Sequence, residues 1–236
     1  MKRLSQIVSY FSKVVRYVKV RIWHQQAYII FEKKIDLSVE PIVPKLDGIQ
    51  FNRVEEPTQQ HFVALHSINR YLLHSNFNKD VKARHECFIG KRKVNDETVF
   101  YVWTRQRSSH ESEAGMYPAY MVTDAKEIHF FSAFTSAAYR GHGIYQAGIS
   151  SLEQHYGRLG YSKLSCSVAT NNMSSLNAIR KLNFVPTKYR MISTTRFFYE
   201  SRRIVETTNA RDMDFLQSES SAHQKRGWSL KVGPKE

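Results

Sequence analysis

One stretch constrains this chain more than any other. Glu127-Ile-His-Phe-Phe-Ser-Ala-Phe-Thr135 is followed by Ser-Ala-Ala-Tyr-Arg140-Gly-His-Gly143-Ile-Tyr-Gln-Ala-Gly148. A β-prone apolar run feeds a turn holding an arginine and two glycines, and the turn opens onto a helical pattern. Tyr145, Ile149, Leu152, Tyr156 and Leu159 recur at spacings of 4, 3, 4 and 3, and Gly160 stands where a C-terminal cap belongs. Lys163-Leu-Ser-Cys-Ser-Val-Ala169 then alternates with period two, which predicts a strand. Strand, turn, helix and strand in this order require a helix layered on a sheet. A plain turn of this kind needs one glycine at most. Two glycines and a basic residue bare backbone N–H groups at a helix start, where the helix dipole adds positive potential, so the turn reads as a phosphate cradle. The alternative is an ordinary tight turn.

Around this centre the pattern predicts further elements. Ala27–Phe31 reads as a short strand, and the stretch through Pro41, Pro44 and Asp47-Gly48 as a linker. Residues 58–77 read as one helix, with Phe62, Leu65, Ile68 and Leu72 on one side. Cys87–Lys91 and Thr98–Trp103 read as strands joined by a hairpin-like turn at Asn95-Asp96. A polar loop over residues 106–117, a short helix over 174–182 and a strand pair over 187–204 complete the reading. No internal repeat is present. The expectation is an α/β (α+β) layer fold with a mixed sheet, divided into an extension (1–44), a main domain (45–207) and a polar tail (208–236).

Residues 1–23 carry Leu4, Ile7, Val8, Phe11, Val14, Val15, Val18 and Ile22 at helical spacing, with Lys and Arg between them and no acid before Glu32. This is an amphipathic helix that either docks on its own domain or lies on an anionic membrane surface, where each basic residue adds about 1 kcal/mol. Across the chain, 35 Lys+Arg against 21 Asp+Glu leave a net charge of +14, a field that favours anions of any kind. Nucleic acid ranks below the other partners, because no fold signature for it accompanies the charge. No run reaches the roughly 20 apolar residues of a membrane span, and Lys13, Arg16 and Lys19 interrupt any secretory signal. The expected location is therefore cytoplasmic, with room for peripheral attachment to the inner membrane face. Cys87 and Cys166 form no CxxC pair and read as buried thiols in a reducing compartment. The ten histidines show no ligand spacing, so no metal is expected.

Downstream of the turn stands Asn172-Met-Ser-Ser175-Leu-Asn-Ala-Ile179-Arg-Lys181-Leu182-Asn-Phe184. Together with Arg140-Gly141-His142-Gly143, this segment resembles the GNAT superfamily of N-acetyltransferases, over about residues 48–200 and most strongly over 127–186. The resemblance implies a mostly antiparallel central sheet flanked by helices, and acetyl-CoA or another acyl-CoA as donor. It implies that Arg140, Gly141, His142, Gly143 and Ile144 form the pyrophosphate-binding turn. Phe134 and Thr135 would offer backbone groups to the pantetheine arm and the thioester carbonyl. Asn172 and Ser175 would bind the cofactor beyond the next strand, and the strands of 127–135 and 163–169 would splay to admit it, with Leu164 and Val168 in the core. Three positions depart from the family pattern. Tyr145 replaces a small residue, Asn183 replaces a glycine, and Ile179 stands where many relatives carry a tyrosine that protonates the leaving thiolate.

Acyl transfer to an amine requires a neutral nucleophile, and deprotonating a lysine-like amine at neutral pH costs about 4–5 kcal/mol. The candidate bases are Glu127 and His129, which alternate onto one face of the strand leading to the turn. Their bland reading is a strand-capping acid and a half-exposed strand histidine. Glu111 and Glu113 lie in the polar loop, and Tyr139 and Tyr161 are the remaining candidate acids. The acceptor, an amine of unspecified identity that includes amino sugars, is not readable, nor is a homodimer through an edge strand. The competing function is a catalytically inactive module of the same fold that binds RNA, another polyanion or anionic membrane.

Overall fold

A computed structural model describes residues 23–106, 125–196 and 200–208. The N-terminal helix expected over residues 1–23 falls, but for Trp23, outside these residues, as do the tail beyond 208 and the loop acids Glu111 and Glu113. The described residues form two compact units, each assembled from separate stretches of chain. The larger holds residues 31–106, 125–167 and 173–186; the smaller holds 23–30, 168–172, 187–196 and 200–208.

In chain order the elements are β1 (Trp23–Lys34), β2 (Ile49–Val54), α1 (Gln59–Ile68), α2 (His74–Lys82), β3 (Glu86–Arg92), β4 (Thr98–Gln106), β5 (Glu127–Thr135), α3 (Ile144–Arg158), β6 (Lys163–Ala169), α4 (Met173–Lys181), β7 (Val185–Arg196) and β8 (Glu200–Thr207). In the larger unit β2, β3, β4, β5 and β6 lie side by side in that order. The first three pairings are antiparallel and β5 with β6 is parallel. In the smaller unit β7 and β8 pair antiparallel from Tyr189↔Thr207 to Arg196↔Glu200. The sheet is mixed and mostly antiparallel, as expected.

Alternation along β4 sorts the core into two faces. Tyr101 and Trp103 pack with Leu65, Phe77, Cys87, Ile89 and Phe131 beneath α1 and α2. Phe100 and Thr104 point to α3, where Phe100 meets Tyr145 edge-on and Thr104 Oγ1 lies 2.6 Å from the Tyr156 hydroxyl. That hydroxyl donates to Glu86 Oε2 at 2.6 Å. The helix comes so close to β4 that a Cβ on Gly148 would stand 2.5 Å from Phe100 Cε1, so only glycine fits there.

Two expectations are corrected and one unassigned stretch proves to be a strand. The single helix over 58–77 is two, because Asn69 leaves helical geometry to donate to the Tyr101 hydroxyl at 2.7 Å and to accept from the Tyr71 amide. No Pro or Gly marks that break in the sequence. Residues 49–54 form an edge strand that the polar residues Gln50, Asn52 and Arg53 concealed. The stretch through Pro41 and Pro44, expected as a linker, belongs to a strap over residues 35–45 laid along α3. The Asp36 amide donates to Glu153, the Gln154 side chain to Val39 O, the Ile42 amide to Ser150 Oγ, and the Lys45 amide to His142 O at 2.9 Å. Lys33 Nζ pairs with Glu153 at 2.6 Å, at side-chain exposures of 18% and 8%.

Candidate active site

The site begins where two strands part. β5 pairs with β6 from Glu127↔Lys163 only as far as Phe130↔Cys166. β5 continues beside β4 to Phe100↔Thr135, so its other edge is released from Phe131 onward. The register against β4 slips at the same place: Trp103 faces Phe131 and Tyr101 faces Phe134, leaving Ser132 and Ala133 opposite Val102 alone. This is a β-bulge, and Ser132 is exposed with φ near 50°, in the left-handed region that a residue with a Cβ seldom enters. A bulge turns backbone amides out of the ladder, and here it does so at the mouth of the opening. The sequence expectation placed the reactive backbone at Phe134 and Thr135; nothing in Phe-Ser-Ala-Phe announces the bulge, which only the register reveals.

From Thr135 the chain passes through a short 3-10 turn (Ala137–Tyr139) into Arg140. Gly141 (φ 83°) and Gly143 (φ 74°) both take left-handed backbone, and Gly143 caps α3. Nothing lies within 4 Å of a Cβ built on Gly141, so the glycines answer to backbone angle and to an open approach, not to crowding by the protein. The first N–H groups of α3 lack intrahelical acceptors and face outward at the positive end of the helix dipole. Arg140 folds back over the end of β5: its Nε donates to Thr135 O at 3.3 Å and its guanidinium lies 5.3 Å from the centre of the Phe134 ring. Thr135 Oγ1 is buried with no hydrogen-bond partner among the described residues. The Tyr139 hydroxyl donates to Glu97 Oε2 at 2.7 Å, and Arg92 stacks over the Tyr139 ring at 5.7 Å, which ties the turn to the β3–β4 hairpin.

The predicted site residues thus fall into groups. Phe134, Thr135, Arg140, Gly141, His142, Gly143 and Ile144 lie on one continuous stretch of the larger unit, from the end of β5 through the turn to the start of α3, with Ile144 buried. Ser175 sits in the first turn of α4 in that unit, and Asn172 lies in the smaller one, its amide donating to Ala169 O. Ile179 is fully buried. Leu164 and Val168 are core residues, as their alternation predicted.

Glu127 and His129 are each only 3% exposed, so the histidine is more buried than its bland reading supposed. They lie on the face of β5 that carries Phe131, at the start of the strand and five and three residues before Ser132 of the bulge. The Ser165 hydroxyl donates to Glu127 Oε1 and meets His129 Nδ1 at 2.9 Å. Lys163 Nζ lies 3.1 Å from Glu127 Oε2 and 3.5 Å from Glu32 Oε2. Burial disfavours the Lys163 ammonium, but these two carboxylates outweigh it and hold its pKa above the ordinary lysine value. Ser165 is the member of this cluster that the sequence did not single out. Its period-two phase put it on the opposite face from Leu164 and Val168, and only the β5–β6 register sets it opposite His129. Both cysteines are free and buried, and burial raises their thiol pKa values, so neither presents a thiolate nucleophile. Among the described residues no group of His, Cys, Asp and Glu is arranged to hold a metal ion.

The sequence model of the acetyltransferase (GNAT) family matches residues 54–184, more than half of the chain, and spans the parted strands, the bulge and the glycine turn. The chain belongs to the GNAT acetyltransferase family. No curated protein matches it by sequence. Solved structures share its fold at low identity. A Drosophila protein aligns with a TM-score of 0.52 at 8% identity, covering 79% of this chain and 57% of its own. The glucosamine N-acetyltransferase region of a fungal multi-domain β-N-acetylglucosaminidase aligns at 0.50 and 10%, over 83% of this chain and 23% of that one. A GNAT-family acetyltransferase from Colwellia psychrerythraea aligns at 0.48 and 13%, over 72% and 56%. The chain therefore spans little more than half the length of the Drosophila and Colwellia chains, and less of the fungal one. Transfer of an acyl group from coenzyme A to an amine is the chemistry of this family at its general level.

Proposed function

We propose that this chain transfers an acetyl or longer acyl group from coenzyme A to the amine of a small acceptor, by direct attack on the thioester. The observation that carries the reading is the continuity of one path. β5 leaves β6 at Phe130, bulges at Ser132–Ala133, and runs without interruption into Arg140 and the N-terminus of α3. An extended thioester arm fits along the released edge of β5, with its pyrophosphate at the turn.

The bound thioester would supply an electrophilic carbonyl and a thiolate leaving group. Arg140 and the N–H groups from Gly141 to Ile144 hold the pyrophosphate, and the orphaned hydroxyl of Thr135 finds its partner on the arm. Backbone N–H at the bulge receives the negative charge that develops on the carbonyl oxygen, a contribution typically worth about 3–4 kcal/mol. The attacking amine loses one proton, which the Glu127–Ser165–His129 cluster takes up on the Glu127 carboxylate or the His129 imidazole, with Ser165 holding the two in place. Because they are buried, they act at one remove, through water. The acyl–nitrogen bond forms, the carbon–sulfur bond breaks, and the thiolate takes its proton from solvent. Ile179 offers none, and the hydroxyl of Tyr139 is committed to Glu97.

The test is calorimetric titration with acetyl-CoA and with free coenzyme A, comparing wild type with Arg140→Glu. Charge reversal at one phosphate contact should weaken both ligands at least about tenfold, or 1.4 kcal/mol. A folded protein that binds neither ligand would end the acyl-transfer reading and leave the basic chain as a module for other anions.

A further inference from the structure

A cavity lies on the larger unit, between the strap, β2 and α3. It is open and measures about 650 Å³, within the range of sites for small organic ligands. Its floor is apolar, with Phe51, Phe88 and Ile49, and the strap residues Ile42 and Val43 form one wall. Ala147, Ser151, His155 and Arg158 line it from α3, spaced along one helical face. Its charge is one-sided: Arg53 and Arg158 line it, and no acid does among the described residues. Arg53 is already paired with Glu55 and Glu86, at 3.1 Å each. Arg158 is exposed and makes no ion pair among the described residues. His155 Nε2 is buried with no hydrogen-bond partner among them. Burial, with Arg53 and Arg158 nearby, holds the pKa of this imidazole below its ordinary value, so it stays neutral and can carry its proton on Nε2.

We propose that this cavity binds a small amphipathic anion, of the acyl-chain carboxylate class. Its apolar body lies on Phe51 and Phe88. Its carboxylate takes a charge-assisted bond from Arg158 and the unmet hydrogen bond of His155. The strap that walls the cavity ends on the Lys45–His142 hydrogen bond at the glycine turn, so an occupant braces the segment that anchors the turn without entering the cradle. A fatty amine has the wrong sign for such a site.

The experiment uses the full chain and decanoate, titrated calorimetrically and by displacement of anilinonaphthalenesulfonate fluorescence. Saturable binding at one site per chain is expected. Coenzyme A at saturation should not displace it, and decylamine should bind at least about tenfold more weakly. Arg158→Glu and Ser151→Phe, the second filling the cavity, should each weaken decanoate at least about tenfold, with circular dichroism unchanged. Because Arg140→Glu targets only the turn, it should leave decanoate binding intact, which separates this site from the acyl-transfer reading. Absence of saturable binding by both readouts, equal binding of decylamine, survival of binding in both variants, or displacement by coenzyme A would each overturn the proposal.

Discussion

Glu127, Ser165 and His129 show how much a residue's part depends on its neighbours. A glutamate and a histidine two apart on a strand are unremarkable; a serine bridging them across a parallel pair makes a buried relay. Removing one member leaves polar groups unmet as well as removing a base, so the test must separate fold from chemistry. Glu127→Gln keeps the volume and the acceptor that Ser165 needs, and gives up the charge and the acceptor that face Lys163. It is expected to lower kcat by about 10²- to 10⁴-fold, with little change in KM for acetyl-CoA, because Glu127 lies away from the cradle. His129→Ala should lower kcat by a comparable factor. If the Glu127→Gln protein is folded and kcat is unchanged in both variants, Glu127 and His129 are structural.

At the scale of elements, the glycine turn is held by parts distant in sequence: the strap at His142 and the β3–β4 hairpin at Tyr139. The hydroxyl of Tyr139, and after it the amide of Asn95, hold the Glu97 carboxylate below the usual range. The sign follows from linkage. A carboxylate whose folded pKa is depressed contributes stability above its unfolded value, near about 4.3 for Glu, and loses it as pH falls through the folded value. Tyr139→Phe should therefore cost about 0.5–1 kcal/mol at neutral pH, the low end for such a bond because Glu97 is exposed. The difference from wild type should close as pH drops below about 4. Urea denaturation of both proteins at several pH values measures it, and a difference indifferent to pH would remove Glu97 from the account.

At the scale of the whole molecule, the net charge of +14 acts on approach more than on contact. A polyanionic donor should be steered to the turn, with an association rate that falls at least about tenfold as ionic strength rises from about 0.01 M to about 1 M and the Debye length shrinks from about 30 Å to about 3 Å. Dissociation, set by short-range bonds, should change less. Stopped-flow mixing with coenzyme A reads both rates. A salt-independent association rate would mean that the charge serves another partner.

Period, glycine placement and motif order are local properties, which the sequence by itself determined. They defined β5, the turn, α3 and β6, the inward phase of Leu164 and Val168, and the family of the fold. Tertiary structure decided what depends on the partner strand or helix. Asn69 broke a helix by reaching Tyr101, a bond between residues 32 apart. Val102 faced two residues of β5 and made a bulge that no run of β-prone residues predicts. The strap looked like a linker because its hydrogen bonds are backbone donors and acceptors, which any sequence possesses and only proximity to α3 employs.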